Sequence, residues 1–385
     1  MNFKVLDKEA FGAFAVTHPC KNFLQTKEMA DVIEKDGNQV YFVGVTKQDK
    51  IIAASMIKRI KGRRKDVFYA PRGLLVDYEN QELLQFFCQA LKQFVKENGG
   101  YVLRIDPYYE LQEEDIDGNK VNGGFSHQAV ITSLLKLGFI PQQDYYQQFK
   151  YMFCLSLDKD KESLLQSFHT RPKRMIKKAM ANEITVSEIT DKASLAIISD
   201  LIKETGKRKQ FQARDLSYYE HLYDAFSPSK KVKFMIATLN TKLLIKKKEQ
   251  ELEQLEHKNL EKAAKLQQDI EQLQQMPCNE DGTIVLSCGV FMLYGEEVVY
   301  LFGGNRNEYL HFGSSYFLQW TMIQYALEHG FQRYNFYGFQ SPTKDDGVYL
   351  FKRGFQGQVV ELIGDFALPV TPYYYLHSFF RRLKP

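Results

Sequence analysis

The chain has 385 residues, of which 44% are hydrophobic and 14% aromatic, a composition that excludes a disordered protein and a length that suits two domains. Its 51 basic and 47 acidic side chains leave a net charge of +4, so the overall charge does not predict nucleic-acid binding. Five scattered cysteines and eight dispersed histidines exclude a disulfide framework and show no metal-ligand spacing.

The first part of the chain predicts strands that alternate with helices. The segments "QVYFVGVTKQDKIIAASMIKRI" and "DVFYAPRGLLVD" predict a strand meander. A helix is predicted over "NQELLQFFCQALKQFVKENGG", where two glycines end it, and a strand over "YVLRIDPYY". Asp106 thus lies at the end of this strand, which Pro107 closes, where an α/β fold presents its site and a carboxylate could orient or deprotonate an amine. Capping of the following turn explains the same position equally well.

A similar order begins again at Tyr151. After several helices, "KVKFMIATL", "TIVLSCGVFMLY" and "EEVVYLFGG" predict strands, "SSYFLQWTMIQYALEHG" a helix, and "RYNFYGF" a strand. Both halves therefore contain a meander, a long helix that ends in glycine, and a strand. We interpret the chain as two copies of one α/β unit.

A charged segment from Lys242 to Met276 interrupts the second unit between strands that we expect to be neighbours. Because the insert must leave and return at nearly the same place, one helix is excluded and two antiparallel helices are predicted. We expect the turn at "HKNLEK", with apolar seams of Leu252, Leu255, Leu266, Ile270 and Leu273 on either side of it. Seven lysines and seven acidic residues form no basic stripe, which favours a solvated coiled-coil hairpin over an RNA-binding arm.

Four basic clusters stand out: "KRIKGRRK", "RPKRMIKK", "GKRKQFQAR" and the tail "RRLK". Each is explained by an ordinary solvated face, but together they indicate at least one surface for an anionic partner, such as nucleotide phosphates, tRNA or lipid headgroups. Because no signal-peptide pattern and no run of eighteen apolar residues occurs, we expect a cytoplasmic protein. Peripheral contact with the inner face of the cytoplasmic membrane would be one use of these clusters.

The stretch "NFYGFQSPTKDDGVYLFKRGFQG" is the densest in glycine and aromatic residues, and its residue types predict a β-hairpin. Lys352 places a positive charge on an apolar wall, which is suited to stabilising a developing oxyanion or a phosphate. A hairpin with a structural role only is the alternative.

Several runs, taken together, carry a family resemblance: "NFLQT", "PRGLLVDYENQEL", "LRIDPYY", "PKRMIKKA", "VVYLFGGN" and "GVYLFKRGFQGQVVELIGDF". With them, the chain resembles the Fem family of peptidoglycan-branching aminoacyltransferases (FemA, FemB, FemX, MurM and MurN) over essentially its whole length and in the family order. The resemblance implies an α/β (α+β) protein of two GNAT-type N-acyltransferase domains. It implies residues 1–150 plus 364–385 for the first domain and 151–363 for the second, interrupted by the coiled-coil hairpin of residues 242–276.

The resemblance also implies an activity. Such enzymes transfer glycine, alanine or serine from aminoacyl-tRNA to the amine of the stem-peptide lysine, or to a preceding branch residue, and so build the interpeptide bridge. The acceptor is a peptidoglycan precursor, either lipid II or UDP-MurNAc-pentapeptide. Because an aminoacyl ester is already activated, we expect neither a cofactor nor a metal.

By resemblance, Lys35 and Arg214 would bind the diphosphate of the muramyl-peptide substrate, and Tyr218 and Tyr300 would line the same pocket. Asp106 would lie near the acceptor amine as base or orienter.

The pair Phe351 and Lys352 would lie at the tRNA end of the site. There Lys352 would neutralise charge on the oxyanion or on the leaving ribose oxygen.

Two other interpretations are open at this point. An acyl-CoA-dependent GNAT acetyltransferase would need a Gln/Arg-x-x-Gly-x-Gly/Ala loop before a helix, and the "GGNRN" segment lacks that spacing. A non-enzymatic RNA-binding or scaffold protein would use the hairpin and the basic clusters, but the hairpin carries no net charge.

Overall fold

The structure, a computed structural model, describes residues 1–142, 148–255 and 259–382. Its strands are β1 (Asn2–Val5), β2 (Gln39–Lys47), β3 (Lys50–Ile60), β4 (Asp66–Ala70), β5 (Gly100–Ile105), β6 (Glu110–Glu113), β7 (Ile140–Pro141), β8 (Tyr151–Ser156), β9 (Thr185–Glu188), β10 (Val232–Asn240), β11 (Thr283–Tyr294), β12 (Glu297–Asn305), β13 (Arg333–Phe339), β14 (Gln358–Leu362) and β15 (Phe366–Pro369).

Its helices are α1 (Lys8–Ala15), α2 (Lys27–Lys35), α3 (Gln81–Glu97), α4 (Gln128–Lys136), α5 (Lys161–Ser167), α6 (Thr170–Ala181), α7 (Leu195–Lys209), α8 (Leu216–Phe226), α9 (Thr241–Glu253), α10 (Leu260–Gln274), α11 (Ser314–Glu328), α12 (Gly347–Arg353) and α13 (Tyr373–Arg382), with a 3-10 helix, Asn307–Phe312, before α11. Within the described ranges, no helix is both long enough and apolar enough to cross a membrane.

The strands form two sheets of the same basic design. The first has the order β1-β2-β3-β4-β5-β15-β7 and the second β6-β14-β8-β13-β12-β11-β10-β9. In each sheet a meander (β2-β3-β4 or β10-β11-β12) is followed by a long helix (α3 or α11) and by a strand parallel to the last meander strand. A parallel neighbour requires such a crossover. The predicted repeat of one α/β unit is therefore confirmed.

Two strands join the sheet of the other half of the chain. Near the C-terminus, β15 pairs with β5, so this part of the chain returns to the first sheet. In contrast, β6 falls within residues 1–150 but pairs with β14 and belongs to the second sheet. The two units therefore interlock, and the segment after β5 is held against the second sheet.

The charged insert forms two helices, as predicted. Helices α9 and α10 lie between β10 and β11, which are antiparallel neighbours. At the base of the hairpin, Leu244 and Leu273 are buried in the core of the second unit, and farther out Lys248 donates to Asp269 across the two helices at 2.7 Å. Of the predicted turn "HKNLEK", residues 257 and 258 lie outside the described residues.

Two apolar cores cover the two faces of the second sheet. One is continuous with the first unit and joins Phe87 of α3 to Tyr219 of α8 and Val290 of β11. The other fills the opposite face beneath α6, α11 and α12, and includes Trp320 and Phe336. Because one core is shared, the relative position of the two units is fixed by burial of apolar surface.

Candidate functional site

The segment that carries Lys352 is a helix, so the predicted β-hairpin is wrong. Asp346 is the N-cap of α12, and its Oδ1 accepts hydrogen bonds from the backbone N–H groups of Val348 (2.8 Å) and Tyr349 (3.1 Å). Such a cap satisfies donors that the first helical turn leaves free. Tyr349 and Phe355 are buried in the second core. Their burial holds this two-turn helix against the sheet and directs Lys352 inward.

The ammonium of Lys352 is buried and is held by backbone carbonyls. Only 4% of the residue is exposed, and its Nζ donates to the carbonyl oxygens of Tyr337 (2.9 Å) and Gly338 (2.6 Å). An ammonium has three donors, so within the part of the chain that the structure describes one N–H is left for another acceptor. Burial lowers the pKa of Lys352 to about 7, and the more distant Asp346 carboxylate raises it by less.

Lys352 lies where two parallel strands separate. Strands β12 and β13 pair only from Glu297–Val299 to Arg333–Asn335, although both continue for several residues. In the first sheet the equivalent strands β4 and β5 pair along their whole length. Backbone carbonyls that lose a strand partner need another donor, and Lys352 supplies it. We call this opening the β12–β13 split; of the two described sheets, only the second has it at its parallel pair.

Tyr337 lies at the centre of the site. It has a positive φ of 61°, and its N–H donates to Asn335 Oδ1 at 2.8 Å, within a bulge where β13 pairs irregularly with β8. Aromatic residues rarely adopt this backbone conformation. At Tyr337 it occurs where the backbone carbonyl accepts a hydrogen bond from Lys352. The Tyr337 ring contacts those of Phe23 and Phe149, and its hydroxyl donates to Gln148 Oε1 at 2.6 Å.

Asp106 is buried at the end of β5, with 1% of the residue exposed. Its Oδ2 accepts from the Tyr69 hydroxyl at 2.7 Å and its Oδ1 from the Arg72 backbone N–H at 2.6 Å. Burial raises the pKa of Asp106 to about 6, while the Arg72 charge and both hydrogen bonds oppose that rise. The charges of Arg72 and Asp106 both act on the Tyr337 hydroxyl, so Asp106 belongs to the same site.

A polar network fixes the loop after β5 against the base of the β12–β13 split. The Tyr108 hydroxyl donates to both oxygens of Glu297, at 3.0 and 2.9 Å. Arg333 bridges Glu297 and Glu110 at 3.1 Å each, and Asn335 also donates to Glu297. A partly buried network of this kind, with charged groups paired, defines one geometry. It therefore sets the position of Asp106 relative to Tyr337.

Arg214 and Tyr218 are neighbours, as the resemblance implies. The Arg214 guanidinium carbon lies 5.0 Å from the centre of the Tyr218 ring. Burial raises the pKa of Tyr218 to about 12, with Arg214, Tyr337 and Asp36 as the charged or titratable neighbours. Lys58 also lies close to Arg214 and Asp36, and burial lowers its pKa. This basic corner therefore adjoins Tyr337.

Lys35 is directed elsewhere. Its Nζ donates to Asp224 at 2.9 Å, and Asp224 also binds Lys192 at 2.9 Å. Lys35 lines a surface depression between α2 and α8 together with Asp31, Glu34 and Asp224. Three carboxylates there would repel a diphosphate, and the charge of Lys35 is already paired with Asp224.

Tyr300 faces away from Tyr218. Its ring stacks on Phe291 at 5.2 Å between centroids and packs against the core beneath α11. Tyr218 packs on Phe302 and on the core of the opposite sheet face. The structure does not bring Tyr218 and Tyr300 together, because a bulge in β12 at residues 300–302 places Tyr300 on the other side of the sheet.

Phe351 lies on α12 beside Lys352 and is partly exposed. Its ring lies 4.8 Å from that of Tyr316 and 5.6 Å from that of Phe355. The structure thus places Phe351 and Lys352 on one side of Tyr337, and Asp106, Arg214 and Tyr218 around its other sides.

The sequence analysis assigns no role to four residues of the site: Lys58, Tyr69, Arg72 and Tyr337, of which Tyr337 belongs to the segment rich in glycine and aromatic residues. Lys58 was visible only as part of a basic cluster, and Arg72 only in the run "PRG". A left-handed backbone at Tyr337 has no sequence signal, because aromatic residues rarely adopt it. Among the described residues there is no group of His, Cys, Asp and Glu that could hold a metal ion.

Comparisons with known proteins match this architecture. A sequence model of the FemAB family matches residues 6–266 and 256–382. The chain is 31% identical over 423 aligned residues to the aminoacyltransferase FemA of Staphylococcus aureus strain NCTC 8325 / PS 47, covering 100% of this chain and 99% of FemA.

Solved structures agree with the sequence match. The crystal structure of FemX superposes with a TM-score of 0.78 at 26% identity, covering 98% of this chain and 99% of FemX. A tandem GNAT protein from the clavulanic acid biosynthesis pathway superposes with a TM-score of 0.54 at 10% identity, covering 96% and 99% of the two chains. The second match concerns the fold alone, and it confirms the predicted pair of GNAT-type domains.

Proposed function

The chain belongs to the FemAB family, and we propose that it transfers an amino acid from aminoacyl-tRNA to an amine of a peptidoglycan precursor. The donor residue is glycine, alanine or serine. The acceptor is the stem-peptide lysine, or a branch residue already attached to it, in lipid II or UDP-MurNAc-pentapeptide. The observation that carries this proposal is the buried ammonium of Lys352 at the β12–β13 split, with one N–H left for a substrate oxygen.

The reaction that fits this site is aminolysis of an ester. The neutral acceptor amine attacks the aminoacyl carbonyl, a C–N bond forms, and the C–O bond to the ribose breaks. The amine loses one proton and the ribose oxygen gains one, so no external oxidant, reductant or metal enters the balance. Because the ester is already activated, the protein needs only to orient the amine and to stabilise the negative charge that develops on oxygen.

Lys352 supplies that stabilisation. Its protonated form donates the third N–H to the tetrahedral oxyanion, or to the ribose oxygen as it leaves. The apolar surroundings strengthen this interaction, because two charges interact more strongly where the local dielectric constant is low. The carbonyls of Tyr337 and Gly338 hold the ammonium in place before substrate arrives. Phe351 forms the apolar wall next to it.

Asp106 acts as an orienting carboxylate in this proposal. Both of its oxygens already accept a hydrogen bond from inside the protein, from Tyr69 and from the backbone of Arg72. It therefore holds the turn at Arg72 and the surface on which the acceptor amine is placed. Removal of the amine proton falls to solvent or to the leaving oxygen.

The diphosphate of the acceptor binds at Arg214 and Lys58. Arg214 lies over the Tyr218 ring and Lys58 lies close to Arg214, whereas Lys35 is paired with Asp224 in an acidic depression. A guanidinium matches two phosphate oxygens at once. Tyr300 has no place in this pocket, because it lies on the other face of the sheet.

The test is a transfer assay with the purified protein. Glycyl-, alanyl- and seryl-tRNA are each combined with unbranched and singly branched lipid II and with UDP-MurNAc-pentapeptide, and products are identified by mass. We expect at least one combination to give the acceptor plus one amino acid. Absence of product in every combination, for a protein that is folded by circular dichroism, would refute the proposed function.

A further inference from the structure

Helix α6 exposes a row of cations along one side. Its inward residues, among them Ile176 and Ala179, are buried in the second core. At 100° per residue, four cations fall on the opposite side within about a third of the circumference. We call them the α6 stripe: Arg171, Arg174, Lys177 and Lys178, all of which are exposed.

The α6 stripe is not neutralised by the protein. Among the described residues, no carboxylate forms an ion pair with any of its four members, whereas hairpin lysines such as Lys247 and Lys248 are paired with Glu183 and Asp269. Four uncompensated cations in one row create a positive potential that attracts a polyanion. The charge balance of the whole chain conceals this local excess.

The stripe begins beside the helix that carries Lys352. The backbone N–H of His169, the N-cap of α6, donates to the Gly354 carbonyl at 2.9 Å, and Gly354 lies directly against Pro172. The charge of Arg171 reaches the Tyr316 hydroxyl, and the Tyr316 ring contacts Phe351. The row of cations therefore leads away from the Phe351 side of the candidate site.

We propose that the α6 stripe is the docking surface for phosphates of the RNA chain whose acylated end enters the site. This inference rests on the proposed function and deepens it, because it assigns the surface that holds the donor. From Arg171 to Lys178 the helix rises about 10 Å. At about 3.4 Å per phosphate along one strand of a nucleic-acid helix, that length matches about three phosphates.

A membrane surface fits the stripe less well. A helix that lies on a bilayer inserts its apolar face between the lipids, but the apolar face of α6 is already buried in the protein core. Of its large apolar side chains, only Met180 near the C-terminal end is well exposed, and the α6 stripe itself offers charge to the outside. An RNA backbone, which is recognised through its phosphates, is the polyanion that this surface and its position beside α12 favour.

The experiment compares two variants with equal loss of charge. The stripe variant is R171Q/R174Q/K177Q/K178Q. The control variant is K50Q/K92Q/K96Q/K136Q, which changes exposed lysines of the first unit that form no ion pair among the described residues. Each is assayed with intact aminoacyl-tRNA and with an aminoacylated 3′-terminal trinucleotide, which retains the reacting ester but lacks the RNA stem.

We expect the stripe variant to raise KM for aminoacyl-tRNA about tenfold or more, with kcat and the KM of the acceptor unchanged. The slope of log affinity for deacylated tRNA against log salt should become shallower by about two to three, since each of about three phosphate contacts contributes about 0.7 to 0.9. Transfer from the trinucleotide should be the same in the stripe variant, the control variant and wild type.

Equal KM for aminoacyl-tRNA in the stripe and control variants would overturn the inference while the proposed function stands. A stripe variant that binds deacylated tRNA normally but no longer binds vesicles containing phosphatidylglycerol would also overturn it, and would assign the stripe to lipid. If wild type transfers from neither donor, the proposed function fails and the inference that rests on it fails too.

Discussion

The Nζ atom of Lys352 lies 2.9 Å from the backbone carbonyl oxygen of Tyr337. This hydrogen bond joins helix α12 to strand β13 at the point where β13 separates from its parallel neighbour β12. The carbonyl is available because the two strands no longer pair there, and the lysine is buried because the helix packs on the second core. The separation of β12 from β13 and the placement of the Lys352 ammonium are therefore one structural feature.

Activity should depend on the ionisation of Asp106. We predict that the transfer rate falls as the pH drops through about 6, because the carboxylate takes up a proton there. In the Tyr69→Phe variant this fall should occur at higher pH, since the Tyr69 hydrogen bond favours the charged form. The measurement is kcat/KM for the acceptor between pH 5 and 8 in both proteins.

The Asp106→Asn variant separates an orienting role from a catalytic base. An amide keeps an oxygen for the Arg72 N–H, so we predict no acid limb near pH 6 and a rate within about tenfold of the wild-type plateau. A general base would lose about 100-fold to 10,000-fold. A loss in that range at pH 7.5 would contradict the orienting role.

The buried charge of Lys352 should make stability depend on pH. Its pKa is about 7 in the folded protein against an ordinary 10.5, so between these values the unfolded chain binds more protons and stability rises with pH. We predict that wild type gains in Tm relative to Lys352→Met as the pH rises from 7 to 9.5. The same comparison with Lys344→Met, an exposed lysine, should show no such trend, and a trend of equal size in both would refute the assignment.

Acceptor binding should depend on Arg214 and Lys58 more than on Lys35. A charge-assisted hydrogen bond contributes about 1.5 to 3 kcal/mol, so Arg214→Gln should raise the acceptor KM about tenfold or more, and Lys58→Gln should act in the same direction. Lys35→Gln should change it less than about threefold, because Lys35 is paired with Asp224. Steady-state kinetics at saturating donor compare the acceptor KM of the three variants. A larger rise in KM for Lys35→Gln than for Arg214→Gln would contradict our assignment of the diphosphate to Arg214 and Lys58.

The helical hairpin should be divisible into a structural base and a dispensable tip. Deleting residues 249–265 through a short glycine-serine linker keeps the Lys248–Asp269 pair and should leave Tm near that of wild type. Deleting residues 242–276 should lower Tm clearly, because Leu244 and Leu273 leave the core and burial of each leucine contributes about 1.5 to 3 kcal/mol. Equal unfolding temperatures for the two deletions would contradict this division.

Sequence reasoning predicted the architecture because it depends on patterns with clear physical signals. Strand alternation, a glycine-terminated helix before each parallel strand and an insert between two neighbouring strands all appear in the structure as expected. The segment of α12 predicts a hairpin because glycine and aromatic residues dominate it, whereas the structure forms a helix there. The N-cap Asp346 was the signal that favoured a helix.

The site was less predictable because it depends on orientation. A bulge in β12 places Tyr300 on the face of the sheet opposite to the one expected. A shift of one residue along a strand is enough to move a side chain to the other face. Lys35 forms an ion pair with Asp224, which lies 189 positions away in the sequence. This pairing makes Lys35 less available to a diphosphate. Tyr337 acts through its backbone carbonyl and its positive φ. Neither feature can be inferred from the amino-acid type at this position.

The most direct test of the central claim is the turnover of Lys352→Ala with aminoacyl-tRNA and saturating lipid II, measured beside wild type and Lys344→Ala. We predict that kcat falls at least tenfold in Lys352→Ala, equivalent to about 1.4 kcal/mol, while the acceptor KM stays within about twofold and Lys344→Ala behaves as wild type. Wild-type turnover in Lys352→Ala would contradict the placement of the acyl-transfer centre at the β12–β13 split.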